Sequence, residues 1–427
     1  MPFERELDFK IGNALFRKFW VSAPASTKTS DGLGPLFNAR SCQGCHLKDG
    51  RGHPPKANWP EDDAISMFLR LSIPPETDAH RQLLAEHRAN VILEPTYGGQ
   101  LQDLAIQGHS IEGRMRITYE QVQVAFADGG KASLRKPRYE VTDLGFGPLQ
   151  PKTMLSPRVA PPMIGLGLLE SIPEADVLAL ADPDDRDRDG ISGRPNRVWS
   201  IRDDSVRLGR FGWKAGNATI TQQAAEAFAG DIGISSTLVP HPWGDCTVSQ
   251  AACRAAPNGA PKTVPTIEIA DDLLALVSFY SSNLAVPRRR NARATDVIRG
   301  QALFTEIGCA RCHHPSFTTG ARADQPHLGG QSIWPYTDLL LHDMGEGLAD
   351  NRAEGVADGR EWRTAPLWGV GLTEVVSGHS FLLHDGRARS IEEAILWHGG
   401  EAEAARDAYA TLSKQERDAL VAFVKSL

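Results

Sequence analysis

The residues best suited to chemistry come in two identically spaced groups, Cys42-Gln43-Gly44-Cys45-His46 and Cys309-Ala310-Arg311-Cys312-His313. Two thiols three apart, followed at once by an imidazole, form the spacing for covalent attachment of a c-type haem. Both sulfurs reach the vinyl groups and the histidine becomes the proximal iron ligand. A four-cysteine zinc site made from Cys42, Cys45, Cys309 and Cys312 would leave both trailing histidines unexplained. Two covalently bound haem c groups are therefore expected, with His46 and His313 on iron. A haem with two protein ligands transfers electrons, whereas one with an open sixth position can bind peroxide or oxygen. Candidates for the sixth position are His342, Met344, His384 and His398 near the second motif. Near the first they are His53, His80, His109, Met154 and Met163, and no spacing singles one out.

Haem attachment of this type takes place outside the cytoplasm, so a periplasmic protein is expected. The N-terminus, Met-Pro-Phe-Glu-Arg-Glu-Leu, lacks the apolar core of a secretory signal, which implies a signal peptide already removed. The two remaining cysteines, Cys246 and Cys253, are expected to form a small-loop disulfide in that oxidising compartment. With 427 residues, 41% apolar and 23% charged, the chain can bury a sizeable core. A net charge of −7 and no basic patch exclude nucleic acid as the main partner. No apolar run is long enough to cross a bilayer.

A repeat shows which elements must position the motifs. One unit opens with Asn13-Ala14-Leu15-Phe16 and closes with Asp271 to Phe279; the other opens with Gly300-Gln301-Ala302-Leu303-Phe304 and closes with Asp418 to Phe423. Both closing segments carry Ala-Leu-Val-x-Phe at helical spacing. Val286-Pro287-Arg288-Arg289-Arg290-Asn291 reads as a linker, placing domains at 1–287 and 295–427. The first contains a β-rich insertion at about 97–160, where Arg114–Tyr119 and Gln121–Phe126 alternate before a turn at Asp128-Gly129-Gly130. Finally, Asp185, Asp187 and Asp189 in Asp-x-Asp-x-Asp-Gly have the spacing of a calcium loop, although position 12 is Asn196 rather than Glu.

Two C-terminal stretches are more specific: Glu361-Trp-Arg-Thr-Ala-Pro-Leu-Trp-Gly-Val, and Phe381-Leu-Leu-His-Asp-Gly-Arg-Ala-Arg-Ser-Ile-Glu-Glu-Ala-Ile-Leu-Trp-His. They resemble the bacterial di-haem cytochrome c peroxidase and MauG superfamily, most closely its di-haem oxidoreductase (thiol-oxidoreductase-like) branch. The resemblance implies a mainly α protein of two cytochrome-c-like domains facing each other. In the peroxidases the helix after His-Asp-Gly bears the distal Met of the C-terminal haem. His398 holds that place here, implying a bis-histidine haem, with His342 or Met344 as the alternative ligand. The family also has an inter-haem Trp and, ten residues later, a Gln lining the peroxide pocket; Trp213 and Gln223 fit. The family's acid falls ten residues further on, at Gly233, so its role passes to Asp231, with Glu226 near. An inter-domain calcium ion is implied as well, with Asn196 and Thr364 in its ligand places.

The implied activity is reduction of hydrogen peroxide, or its use to oxidise a partner. The N-terminal haem would be catalytic and the C-terminal haem an electron relay, working with a small cytochrome or cupredoxin. Two other readings stay open: a di-haem electron-transfer protein with both irons six-coordinate, and a haem-based sensor.

Overall fold

A computed structural model describes residues 1–62 and 65–427. Every sheet among the described residues has only two strands, so the scaffold is helical. The mainly α reading agrees with this.

Two crossed helix pairs dominate. Glu6–Arg17 packs on Asp271–Ser282, and Thr295–Glu306 packs on Lys414–Ser426. Each crossing depends on a glycine. A Cβ at Gly12 would lie 2.2 Å from the Leu276 carbonyl oxygen, and one at Gly300 would lie 1.9 Å from that of Ala419. Only hydrogen on the α-carbon lets the backbones approach this closely. One turn beyond each glycine stands a buried phenylalanine, Phe16 or Phe304. The last helix begins with a capping box between Ser413 and Glu416 and buries Ala419, Leu420, Phe423 and Val424 on one face. The repeat read from the sequence is therefore a repeat of packing.

The segment between Asn283 and Ala294 contains no helix or strand and is tied to the last helix, Arg290 N–H donating to the Ser426 carbonyl. The expected β insertion is present but bounded differently. Arg114–Ala125 and Lys131–Thr142 form one long antiparallel hairpin. Strand Met154–Val159 instead pairs with Met67–Ser72, outside the expected limits. Moreover, the hairpin's buried Ile117, Phe126 and Leu134 share a core with Trp397, Tyr409 and Phe423, so the insertion packs on the C-terminal half. Cys246 and Cys253 form a disulfide. No helix among the described residues is long and apolar enough to cross a membrane.

Candidate functional site

Each Cys-x-x-Cys-His motif is set beside its unit's glycine-crossed helix pair. Ser41 caps the short helix Cys42–Cys45, its Oγ accepting from Gly44 N. The His46 ring lies 6.1 Å from the Phe16 ring, and the His313 ring 6.1 Å from Phe304. His46 Nδ1 donates to the Pro161 carbonyl at 2.8 Å, and His313 Nδ1 to that of Tyr336 at 2.9 Å. A carbonyl can only accept, so in both rings Nδ1 carries the proton and Nε2 keeps its lone pair. Burial lowers both pKa values to about 4, so both rings are neutral. This is the tautomer and orientation that an iron ligand needs.

The sixth-ligand candidates of the second unit differ in their hydrogen bonds. His398 also donates from Nδ1, to Ala394 O at 2.7 Å, leaving Nε2 free, and a charge on it would disfavour one on His313. His342 has neither nitrogen to spare: Nε2 meets Asp338 Oδ2 at 2.7 Å and Nδ1 meets Glu401 Oε2 at 2.6 Å. Burial opposes its charge, but Asp338, then Cys312 and Glu401, outweigh it and raise the pKa of the ring well above the ordinary range. An imidazolium has no lone pair for iron. His384 stacks on Trp362 with ring centroids 3.7 Å apart, its buried Nε2 making no hydrogen bond to a described residue and standing 3.9 Å from Asp385 Oδ2. Met344 packs at the edge of the C-terminal core.

In the first unit Cys42, Cys45 and His46 line a cavity of about 640 Å³, a size typical of cofactor sites. The same cavity is lined by Trp213, Gln223, Glu226 and Asp231, so the side chains assigned by resemblance converge on the first motif. Gln223 Oε1 accepts from Asn217 Nδ2 at 3.2 Å, and that nitrogen also reaches Glu226 Oε2 at 2.8 Å. Asp231 lies in a π-helical turn, Phe228–Ile232, and accepts from Gln100 Nε2 at 3.0 Å. Burial raises the pKa of both Asp231 and Glu226. Of the first unit's five sixth-ligand candidates only Met163 lines the cavity; His53 lies in a smaller pocket behind Cys45.

Sequence reasoning missed the cavity's arginines. Arg51, Arg158, Arg210, Arg352 and Arg363 all line it, and Nε of both Arg51 and Arg352 is buried without a partner. Orphaned guanidinium protons at a cavity wall suit an anionic group such as the carboxylates of a haem. Arg70 Nη2 stands 4.0 Å from Asp231 Oδ1. Asp245 is a further cavity acid, its pKa raised to about 6 by burial although Gly99 and Gln100 amides donate to it. None of these carries a motif; only tertiary structure gathers them.

The carboxylate oxygens of Asp185, Asp187 and Asp189 lie within 4.8 Å of one another on the surface, the only such metal-ligating trio among the described residues. The four motif cysteines thus do not gather into a zinc site. Asn196 and Thr364, expected to hold an inter-domain calcium ion, already accept hydrogen bonds from protein donors at their carbonyl oxygens. Asn196 is fully buried, Nδ2 donating to Lys214 O and Oδ1 accepting from Val356 N. The Thr364 carbonyl accepts from Thr337 Oγ1 and Arg363 Nη1.

Paired motifs, neutral proximal imidazoles and an acid-bearing cavity are what a haem oxidoreductase requires. The chain belongs to the family described as "Di-haem oxidoreductase, putative peroxidase", which matches residues 4–427. No curated protein matches it. Among solved structures it is similar to hydrazine synthase of Kuenenia stuttgartiensis, at 18% identity and a TM-score of 0.24. That match covers 44% of this chain and 64% of the other.

Proposed function

We propose that this di-haem oxidoreductase is a periplasmic c-type protein that reduces hydrogen peroxide, or uses it to oxidise a partner, at the His46 side of the molecule. The observation that carries the reading is the convergence of His46, Trp213, Gln223 and Asp231 on one cavity. The haems, one on His46 and one between His313 and His398, would supply the iron centres and the two electrons that each peroxide takes up.

The chain's own groups account for the proton moved within the peroxide, while the two protons that turn the remaining oxygen into water come from solvent. Splitting the O–O bond requires a proton to leave the inner oxygen and reach the outer one, which departs as water. Asp231 is suited to this transfer because burial moves its proton exchange toward neutral pH. Arg70, 4.0 Å away, steadies the carboxylate while it is ionised. Gln223 and Glu226, joined through Asn217, orient the bound peroxide. Trp213 touches both halves: its indole N–H donates to Val159 O, and its carbonyl accepts from Arg363 N. That double anchorage supports a role as the electron bridge. A small cytochrome or cupredoxin would exchange electrons with the C-terminal haem, and a calcium ion would sit in the Asp185–Asp189 loop.

The second reading, electron transfer with both irons six-coordinate, has one observation in its favour: Met163 lines the cavity. EPR of the oxidised protein separates the two. The enzyme reading expects one high-spin and one low-spin haem, with peroxide altering the high-spin signal. Two low-spin haems in the oxidised protein, with optical spectra indifferent to peroxide both before and after reduction, would end it. Asp231→Asn should slow the peroxide reaction by about 10²–10⁴-fold while both haems stay loaded. A wild-type rate would remove Asp231 from the mechanism.

A further inference from the structure

Next to Trp213 in sequence is a side chain that no motif explains. Lys214 is wholly buried. Its ammonium donates to Asp350 Oδ1 at 2.8 Å, Arg352 O at 2.7 Å and Asp358 O at 2.7 Å. These bonds use all three ammonium protons, and the nitrogen lies 4.5 Å above the Trp362 ring. A single carboxylate oxygen, two main-chain carbonyls and an aromatic face thus converge on one positive charge. The distances are those of N–H···O bonds, longer than the 2.3–2.6 Å typical of calcium–oxygen contacts.

The contact joins the two halves. Lys214 belongs to the N-terminal half, where its carbonyl accepts from Asn196 Nδ2, while all three acceptors come from the C-terminal loop 350–358. Asp350 is held from the N-terminal side too, Ser156 Oγ donating to its Oδ2 at 2.5 Å. The local charge leaves no room for a second cation. Among the described residues Arg158, Arg352 and Lys214 pair with Asp350 and Glu354, Arg158 and Arg352 both with Glu354. The two residues in the family's calcium places, Asn196 and Thr364, have their carbonyl oxygens occupied by protein donors.

We propose that the Lys214 ammonium is the permanent cation of the junction between the two halves. It takes the place of an exchangeable metal ion there and fixes the segment that carries Trp213 to loop 350–358. A covalently tethered charge cannot be chelated, so the junction is metal-independent. This inference does not depend on whether peroxide is the substrate.

The test begins with the full haem-loaded protein in which Asp185→Asn, Asp187→Asn and Asp189→Asn abolish the surface loop as a calcium site. Elemental analysis should find no stoichiometric calcium, and EGTA should leave the melting temperature and both haem spectra unchanged. Tightly bound calcium in that protein, or a melting temperature lowered by EGTA, overturns the proposal. In the same background Lys214→Met keeps the side chain's length but strands the three acceptors, and should lower the melting temperature by several degrees. Lys214→Ala should be destabilised too, and partly restored by millimolar methylammonium, whose small cation can enter the vacated ammonium position. A methionine variant as stable as its parent overturns the proposal. Should neither variant fold, the calcium content and EGTA response of the parent still decide it.

Discussion

At the scale of single residues, hydrogen bonds separate histidines that sequence could only collect. His46, His313 and His398 each spend Nδ1 on a main-chain carbonyl, while His342 has a carboxylate on each nitrogen. His398→Ala should therefore convert one low-spin haem signal to high-spin, and His342→Asn should leave both signals in place. The opposite pattern would make His342 the ligand. Asp245 allows a pH prediction. Burial raises its folded-state pKa from 3.8 to about 6. A raised carboxyl favours the folded state while protonated, so its contribution is complete below the unfolded value and lost as pH rises through the folded one. Two pH units amount to at most about 3 kcal/mol. Asp245→Asn keeps an acceptor for the Gly99 and Gln100 amides and cannot ionise. In urea unfolding, wild type should lose stability relative to this variant between pH 4 and pH 6.5. Parallel curves would show that Asp245 does not titrate on folding.

At the scale of elements, the two glycine-crossed helix pairs account for the internal repeat. Gly300→Ala should destabilise by about 1–3 kcal/mol, because a methyl group 1.9 Å from the Ala419 oxygen forces the helices apart. The gain in helix propensity from Gly to Ala, about 1 kcal/mol, does not offset this. Phe304 stands one turn away and contacts His313, so the visible spectrum of that haem should shift along with the melting temperature. An unchanged melting temperature would mean the crossing has slack. These pairs were legible because Gly, Phe and the apolar positions recur at fixed offsets within a helix. The carbonyl partners of His46 and His313 were not, since Pro161 lies 115 residues from its histidine and Tyr336 offers only its backbone. Main-chain acceptors leave no mark on residue type. Likewise Trp213 and Gln223 stand ten residues apart and could be read as a pair, whereas Asp231 misses the family's offset by two residues and Arg51, Arg70 and Arg352 lie in separate parts of the sequence with no motif to join them.

At the scale of the whole molecule, the hairpin has the clearest mechanical consequence. Its period-two pattern showed strands, but a strand's own sequence does not say which body covers its apolar face. In the structure it lies as a strap over the C-terminal half. Arg135 donates to Gly386 O and Arg387 O at 2.9 Å each, and Tyr139 Oη to Asp385 Oδ2 at 2.9 Å. At the far end Arg389 reaches Ser133 O, and Arg417 pairs with Asp128 at 3.0 Å. These bonds hold the His-Asp-Gly-Arg segment that precedes the helix Ile391–Leu396, just beyond which His398 lies, so N-terminal sequence sets C-terminal geometry. With Lys214 buried at the other contact, the halves should unfold as one cooperative unit. Arg135→Ala combined with Arg389→Ala removes three main-chain contacts and leaves three carbonyls without their donors, at a cost of about 2–4 kcal/mol. Calorimetry should then resolve two transitions where wild type shows one, the earlier coinciding with a change in the C-terminal haem spectrum. A single transition at the wild-type temperature would show that the strap rests on the C-terminal half without coupling it to the rest.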